Sequence, residues 1–538
     1  MNRRTFLKSS VIAGAALGLG FNQPGKVSVK NRFETIIANG LIYAGDGKAP
    51  IKADIGISGG KIAAIGKLGD SCDKWVDATN MAVSPGFIDI HTHTNTNFHS
   101  CPFGDSRIYQ GITTDIGGNC GSSPFPQKNG KYVKDIKEFY SKLNTLKIGI
   151  NYKSYSGQGS LRGFVIGAND VKATSGQIAR MKALLEAEME AGSLGLSSGF
   201  EYVPSSYASK AEVIELCKVV AKYNGLFAVH LRDEGDNVEE ALQEAIDIAK
   251  TSGVRLQISH LKTQGTDNWH KAPALLSQIE KAESEGVDIA FDRYPYIALS
   301  TDLSTVIPLN FRQGTNSEVM ERLKDDETAK KIGEYAESRF IKLGGTQNVV
   351  ITSGRKENNA QYIGKNLLEC SEMSGLEPWP FVRQLLIEEN VDVSMIAFAM
   401  KEENVKLFLS HKLGMPASDG SLYSPVGPLS RSMPHPRSYG TFPRFIGKYC
   451  RDEKLMDLSK AIFKCTGFPA SRLNLKDRGL LIPKYYADIV VFNPDTIIDT
   501  ATFSSPHQFP TGIEHVFVNG KHAVESGKGQ KIFAGKVL

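Results

Sequence analysis

Four histidines and one cysteine have the types and spacing of metal ligands. His91 and His93 stand two residues apart, so in a strand their imidazoles face the same side and can share one ion. Cys120 lies among small residues, which allow close approach to a ligand, and its thiolate is a donor that suits Zn²⁺. His230 and His260 are thirty residues apart, the length of one strand–helix unit. Each residue alone is equally well explained by packing, but together the five predict a zinc site.

Asp419 is the candidate catalytic residue. It precedes Gly420 and follows an apolar stretch at 405–409. A carboxylate here could bind the metal and also take a proton from an attacking water molecule. An aspartate before a glycine is by itself an ordinary turn residue, so this assignment depends on the ligands predicted around it.

The elements that must position these residues alternate between strands and helices. Helices are expected over 178–191, 211–223, 238–251 and 272–285, and strands over 87–90, 226–230, 255–260 and 287–291. Such alternation predicts an α/β fold with a parallel sheet. Polar groups at the carboxyl ends of successive strands are typical of the active face of a (β/α)8 TIM barrel. An open doubly wound sheet is the alternative, but it usually gathers its site at one switch point.

The chain is expected to divide into a barrel and a second domain built from both ends. Short β-type runs punctuated by glycine occupy residues 33–85 and again 487–524. These runs predict a small β-sheet domain made of 31–85 plus 480–538, with the catalytic barrel over 86–479. Residues 303–350 are more charged and fit the strand–helix pattern poorly, so we expect an insertion there that could act as a lid.

Composition limits the classes of partner. With 41% hydrophobic and 22% charged residues the chain is that of a soluble globular protein, and no apolar run is long enough to hold the mature protein in a membrane. The net charge of +5, without a long basic run, argues against nucleic-acid binding. The seven cysteines leave any disulfide pairing open.

The amino terminus predicts export. Within residues 1–30, Arg3 and Arg4 precede a short apolar stretch at 11–19, a pattern that resembles a twin-arginine signal. The precursor would then use the Tat export machinery, and the mature protein would be periplasmic or otherwise exported and soluble after cleavage. A basic, frayed terminus of a cytosolic protein is the alternative.

Several motifs of the sequence resemble those of a known enzyme family. The segment 84–93, which contains His91 and His93, resembles the first-strand signature of the amidohydrolase superfamily. The segments 118–121, 230–234, 259–262, 418–420 and 435–444 look like the N-acyl-D-amino-acid deacylase (D-aminoacylase) branch, and the likeness covers nearly the whole chain after the signal. The resemblance implies a metal-dependent barrel with a small β-sandwich. It also implies one tight zinc at Cys120, His230 and His260, and a weaker second site that would use His91, His93, Cys120 and Asp419.

The same resemblance implies the reaction. Zinc-dependent hydrolysis would split the amide of an N-acyl-D-amino acid into a carboxylate and a free D-amino acid, with Asp419 moving the proton. Arg437 is the best anchor for the α-carboxylate of the D-amino acid, because a guanidinium binds a carboxylate through two parallel hydrogen bonds. Tyr294 or Tyr296 could add a hydroxyl donor, and Lys262 could meet the carboxylate or an acidic side chain.

Other functions remain open from the sequence. Another amidohydrolase reaction, such as opening a cyclic amide of the hydantoin type or cleaving a dipeptide with a D-residue, would use the same metal chemistry. A zinc-containing periplasmic binding protein or an inactive relative is the alternative outside enzymes. Against this alternative, a structural zinc normally has four protein ligands that close the site, whereas here a carboxylate and further histidines stand beside the cysteine and the two histidines of the predicted tight site.

Overall fold

The fold is seen in a computed structural model, which describes residues 32–126 and 134–538. The predicted signal lies outside the described residues, so export stays a prediction. Within the two described ranges, no helix combines the length and the apolar character needed to cross a membrane. All seven cysteines lie in these ranges, and each is a free thiol.

A closed barrel of eight parallel strands forms the centre of the molecule, which confirms the predicted (β/α)8 fold. In ring order the strands are Phe87–Asp89, Ile112–Gly117, Asn151–Ser154, Gly195–Gly199, Leu226–His230, Arg255–Ile258, Ile289–Arg293 and Gly414–Pro416. The short strand Ser156–Gly157 continues the third barrel strand and pairs with the fourth. A parallel bridge between Thr92 and Gly420 links the ends of the first and eighth strands. Because both faces of the barrel are covered, its strands are almost entirely buried, including the polar side chains that they carry.

The helices that cover the barrel begin and end close to their predicted limits. The four predicted from apolar periodicity are Ser175–Glu190, Lys210–Lys222, Val238–Ser252 and Ala272–Ser284. Thr174 opens the first of them with a capping box, and Gly253 ends the third in the left-handed conformation that glycine tolerates. The other helices outside the insertion are Asp105–Ile108, Ile136–Leu146, Gln158–Val165, Glu402–Ser410, Arg437–Arg444, the π-helix Phe445–Asp452, Leu458–Cys465 and Gly467–Arg472.

The two ends of the described chain meet in one nine-stranded sheet beside the barrel. Its strands are Phe33–Ile42, Ile51–Ser58, Lys61–Gly66, Cys72–Asp77, Ala82–Pro85, Ile489–Phe492, Ile513–Val518, Lys521–Glu525 and Lys528–Gly529. Antiparallel pairing of Ile489–Phe492 with Ala82–Pro85 joins the amino-terminal strands to the carboxyl-terminal ones. A shared apolar core, which includes Ile55, Ile489 and Phe517, holds them together.

A separate unit is inserted between the seventh and eighth barrel strands. It contains the antiparallel strands Leu299–Asp302, Val349–Ile351 and Ser394–Ala397, and the helices Asn316–Lys324, Asp326–Lys342, Leu367–Ser374 and Pro378–Glu388. The unit has its own apolar core. It therefore extends well beyond the charged segment 303–350, because two of its helices and its strand Ser394–Ala397 come after residue 350.

Candidate metal centre

The six predicted metal ligands meet at the carboxyl mouth of the barrel. His91 follows the first strand, Cys120 the second, and Asp419 the eighth, while His230 ends the fifth strand and His260 follows the sixth. His93 lies two residues past His91, on the same side of the mouth. The structure thus brings together, at one end of the barrel, residues that are far apart in the chain.

Cys120 occupies the middle of the cluster. Its Sγ lies 3.6 Å from His260 Nε2 and 4.0 Å from His230 Nδ1, and these two nitrogens are 2.9 Å apart. Ligand atoms bound to tetrahedral zinc, with bonds of about 2.0–2.3 Å, stand roughly 3.3–3.6 Å from one another. The three observed separations lie on both sides of this range, so one sulfur and two imidazole nitrogens match zinc in chemistry and need to shift by only a few tenths of an ångström to match it in spacing.

A second ligand set shares the same cysteine. Asp419 Oδ1 lies 2.9 Å from His93 Nε2 and 3.3 Å from His91 Nε2, and Cys120 Sγ lies 3.4 Å from that nitrogen of His91. The four donor atoms lie close enough to one another to hold an ion. The mouth of the barrel therefore offers two adjacent metal positions that meet at Cys120.

Each of the three buried histidines turns its outer ring nitrogen to a carboxylate, which fixes the ring and keeps the inner nitrogen aimed at Cys120. The pairs are His91 Nδ1 with Asp292 at 3.0 Å, His230 Nε2 with Glu201 at 3.1 Å, and His260 Nδ1 with Glu234 at 3.1 Å. Sequence reasoning did not assign these three carboxylates. Two of them could have been found from their position in the chain, since Asp292 stands at the end of a barrel strand and Glu234 comes four residues after His230. No feature of the sequence pointed to Glu201.

Three of the ligands have a left-handed backbone. The φ angles are 50° at Cys120, 35° at His260 and 49° at Asp419. Residues other than glycine adopt this conformation at a cost and usually where the surrounding structure imposes it. Here hydrogen bonds impose it, since the Asp419 N–H donates to the carbonyl of His91 at 2.9 Å and the His260 N–H donates to Asp292 Oδ1 at 2.8 Å.

The electrostatics of the cluster favour a cation. Burial opposes ionisation of the Cys120 thiol, but the charge of His91 and hydrogen bonds with His230 and His260 outweigh it and hold the pKa of Cys120 well below its usual range. Burial alone would lower the pKa of His93, but hydrogen bonds and charges from Asp419 and Cys120 raise it to about 9. Burial would likewise lower the pKa of His230, but Glu234, Cys120 and Glu201 raise it to about 10. Imidazoles that retain protons this strongly sit in a negative field, and a metal ion would take the place of those protons.

The predicted substrate contacts surround a cavity of about 970 Å³ that opens over the ligands. Arg437 forms an ion pair with Asp419, with 2.8 Å between Nη1 and Oδ2, and its guanidinium stacks over the ring of Tyr294. Lys262 meets an acidic side chain, because its Nζ lies 2.6 Å from Glu234 Oε1. Lys262, Tyr294 and Arg437 all line the cavity.

Tyr296 is placed elsewhere, so the expectation that it contacts substrate is corrected. Its ring is buried outside the lining of the cavity, its hydroxyl donates to Asp499 Oδ2 at 3.3 Å, and the guanidinium of Arg444 covers its face. The side chains of two tyrosines that are separated by one proline need not point to the same side of the chain. Tyr294 faces the site, and the ring of Tyr296 packs against His435, Phe503 and Arg444.

A (β/α)8 barrel with histidine, cysteine and carboxylate ligands at its carboxyl mouth defines a metal-dependent hydrolase of the amidohydrolase type. Consistently, residues 382–524 match the amidohydrolase family. The chain is 32% identical to a D-aminoacylase from Alcaligenes xylosoxydans xylosoxydans, covering 94% of this chain and 97% of that protein.

Solved structures give the same result. An N-acyl-D-glutamate deacylase from Bordetella bronchiseptica, complexed with zinc and a phosphonate mimic of the tetrahedral intermediate, is 30% identical with a TM-score of 0.81, covering 94% of this chain and 100% of that one. A D-aminoacylase studied for its binuclear metal centre is 31% identical, also with a TM-score of 0.81, covering 94% of this chain and 99% of that one. The chain belongs to the D-aminoacylase family of N-acyl-D-amino-acid deacylases, within the amidohydrolases.

Proposed function

We infer that this protein is a zinc-dependent hydrolase that cleaves N-acyl-D-amino acids into a carboxylate and a free D-amino acid. The observation that carries the inference is the position of Asp419, which lies between two metal-ligand histidines and a guanidinium at the edge of a large cavity. Membership of the D-aminoacylase family supports the class of substrate.

Zinc bound at this centre would supply a Lewis acid for the acyl carbonyl and would make water a competent nucleophile near neutral pH. We propose a tight site at Cys120, His230 and His260, because both histidines are buried and each is held by a carboxylate. The site at His91, His93, Cys120 and Asp419 is proposed to be weaker. There the His93 side chain is 37% exposed, and Asp419 already has Arg437 as a counter-charge.

Asp419 is proposed to move the proton. Burial disfavours its charge, but Arg437 and the surrounding histidines hold the pKa of Asp419 well below its usual range, so it is ionised and can accept a proton from the attacking water. The same carboxyl group then donates that proton to the nitrogen of the leaving amine. General acid–base catalysis of this kind contributes about 10²–10⁴-fold.

Arg437 is proposed to bind the α-carboxylate of the substrate while it keeps its ion pair with Asp419. A guanidinium has five N–H donors in a planar fork, so one edge can hold Asp419 and another can receive the substrate. Tyr294 supports this geometry, since its ring lies under the guanidinium with 4.8 Å between Arg437 Cζ and the ring centroid. An arginine fixed in this way would position the acyl carbonyl toward the metal centre.

A chiral substrate panel tests the proposal. The zinc-loaded protein should release D-amino acid from N-acetyl-D-methionine and should leave N-acetyl-L-methionine and 5-substituted hydantoins intact. Hydrolysis of hydantoins alone would favour the cyclic-amide alternative. Bound zinc without hydrolysis of any amide would favour an inactive or binding protein.

Replacing the proposed base gives the second test. Asp419→Asn should lower kcat by about 10²–10⁴-fold, because an amide cannot accept the proton. Zinc content, measured by elemental analysis, should stay near one ion per chain, because the proposed tight site does not include Asp419. Asp495→Asn, at an exposed turn residue, is the matched control. Normal turnover in Asp419→Asn would remove this residue as the base.

Export is proposed on the sequence alone. If residues 1–30 act as a twin-arginine signal, replacing both Arg3 and Arg4 by lysine should retain the full-length chain in the cytoplasm. Mass measurement of the chain from each cell fraction checks this. An unprocessed chain found only in the cytoplasm without any substitution would contradict it.

A further inference from the structure

The wall of the cavity that comes from the inserted unit carries an unpaired carboxylate. Asp302 ends the strand Leu299–Asp302, lines the cavity and is accessible to solvent. Among the described residues, no side chain donates a hydrogen bond to its carboxylate or forms an ion pair with it. Although its side chain reaches solvent, desolvation by the surrounding wall and then repulsion from Asp392 raise the pKa of Asp302 above its ordinary value, and the charges of His93 and Arg312 only partly offset this shift.

The other charges of the cavity are already matched. Lys262 is bonded to Glu234, and Arg437 is paired with Asp419. Glu201 lies between His230 and Arg339 of the inserted unit, with 3.4 Å to the guanidinium. Of the carboxylates in the described lining, Asp302 alone has no partner, and the described lining holds no unpaired lysine or arginine.

Small polar side chains lie beside Asp302. Ser394 is its direct partner across the antiparallel pair of strands, and Ser300 lies two residues before it on the same strand. Both serines line the cavity, together with Ser353, whose Oγ accepts the N–H of Ser394 at 3.1 Å. Hydroxyl oxygens around a carboxylate can accept the several N–H groups of an ammonium or guanidinium ion.

The residue before Asp302 lies within one side chain's length of a metal ligand, and the charge of the ligand His93 also acts on Asp302. The ring of Tyr202 lies edge-on to that of His230, with 4.9 Å between centroids, and its hydroxyl is 3.0 Å from Thr301 Oγ1. One tyrosine side chain therefore spans the gap between a metal ligand and the residue before Asp302. The side chain of a lysine or arginine, attached to a substrate whose amide sits at the metal centre, has a similar length.

We propose that Asp302 selects substrates whose D-amino acid carries a cationic side chain, as in N-acyl-D-arginine or N-acyl-D-lysine. This proposal rests on the deacylase function proposed above and names its substrate class. An acidic side chain would meet Asp302 and find no free cation in the described lining, so N-acyl-D-glutamate is expected to be a poor substrate. The selection is a charge interaction in a water-accessible cavity, so it should weaken as salt is added.

The test compares two substrates of the same shape. Nα-acetyl-D-arginine and Nα-acetyl-D-citrulline differ in charge at the end of the side chain, and we expect kcat/KM to favour arginine by about tenfold. In Asp302→Asn the arginine-to-citrulline ratio should fall to about one. Asp302→Lys should shift preference toward N-acetyl-D-glutamate. Asp326→Asn, an exposed aspartate of the same inserted unit, should keep the original ratio.

The outcomes separate this proposal from the general function. A ratio of one in the unaltered protein, or a ratio that Asp302→Asn leaves unchanged, would overturn the role of Asp302 while hydrolysis of N-acetyl-D-methionine would still support the deacylase. If none of the N-acyl-D-amino acids is hydrolysed, the proposed function fails and the substrate selection fails with it.

Discussion

Cys120 is the residue on which both ligand sets depend. Its sulfur lies within 4.0 Å of nitrogens from His91, His230 and His260. Burial would keep the thiol neutral, but these histidines hold its pKa well below the usual range and so favour the thiolate even without a metal. A single soft, negative donor can then bind one ion or bridge two. Its neighbours Gly118 and Gly121, both at positive φ, allow the chain to turn tightly enough to present it.

The lowered pKa of Cys120 predicts an unusual pH dependence of alkylation in the zinc-free protein. An ordinary thiol reacts about 100-fold faster at pH 8 than at pH 6, because its thiolate fraction rises tenfold with each pH unit. Cys120 should keep a larger thiolate fraction at pH 6 than an ordinary thiol, so its rate of reaction with iodoacetamide should rise less steeply between the two values. Peptide mapping by mass spectrometry reports the rate at each cysteine.

Two comparisons accompany this measurement. Cys217 is buried and burial raises its pKa well above that of a free thiol, so it should stay unmodified in the folded protein. Zinc should protect Cys120, since the metal takes the electron pair that alkylation requires. A steep rise in the rate at Cys120 with pH would show that the histidines do not stabilise its thiolate.

At the scale of elements, the loop after the fifth barrel strand connects the metal ligands to the cavity wall. Glu234 receives a hydrogen bond from Lys262 at 2.6 Å and lies 3.1 Å from His260 Nδ1, so one carboxylate orients a ligand and neutralises a buried lysine. Burial opposes its charge, but His230, Lys262 and His260 hold the pKa of Glu234 well below its usual range. The loop thus fixes the tight site through a group that need not touch the metal.

Glu234→Gln should weaken metal binding without removing a predicted tight-site ligand. Loss of a carboxylate that orients a ligand typically lowers metal affinity by 10–100-fold, and here Lys262 also loses its counter-charge. Competition with a chelator of known affinity measures the change. Asp233→Asn is the matched control, because within the described parts of the chain the carboxylate of Asp233 bonds only to Gly235 and Asn237 of its own loop. Equal affinity in the two variants would contradict the role assigned to Glu234.

The strands, helices and convergent ligands could be predicted because each depends on local pattern. Apolar periodicity located the helix Val238–Ser252, and alternating runs located Ile513–Val518. The partners of the ligands could not be predicted, because Glu201 reaches His230 from just after the neighbouring fourth strand and carries no local signal. Tyr296 was misplaced for a related reason, since only the packing of Arg444 and Asp499 against it decides where its hydroxyl points.

At the scale of the whole molecule, one end of the barrel carries the candidate site and the other end contacts the nine-stranded sheet. The carboxyl mouth holds the metal ligands and the cavity. At the opposite end, Asn151 begins the third barrel strand and donates to Asp488 Oδ2 at 3.0 Å, and its own oxygen accepts from Asn519 at 2.7 Å. Arg478 forms an ion pair with the same Asp488. This buried network joins the barrel to the nine-stranded sheet, so the sheet stabilises the barrel from the end that carries no ligands.

Asp488→Asn should therefore destabilise the molecule and leave the metal centre intact. The substitution removes the carboxylate that Arg478 contacts most closely and leaves its buried guanidinium with the longer contact to Asp477, which costs about 3–5 kcal/mol in the free energy of unfolding. Urea unfolding of the zinc-loaded protein measures this loss, and the folded fraction should retain its zinc and its kcat. Asp477→Asn is the matched control, because Asp477 is half exposed and lies 3.8 Å from the same arginine, so its loss should cost less than about 1 kcal/mol. A drop in kcat at unchanged stability in Asp488→Asn would mean that this end of the barrel also takes part in the reaction.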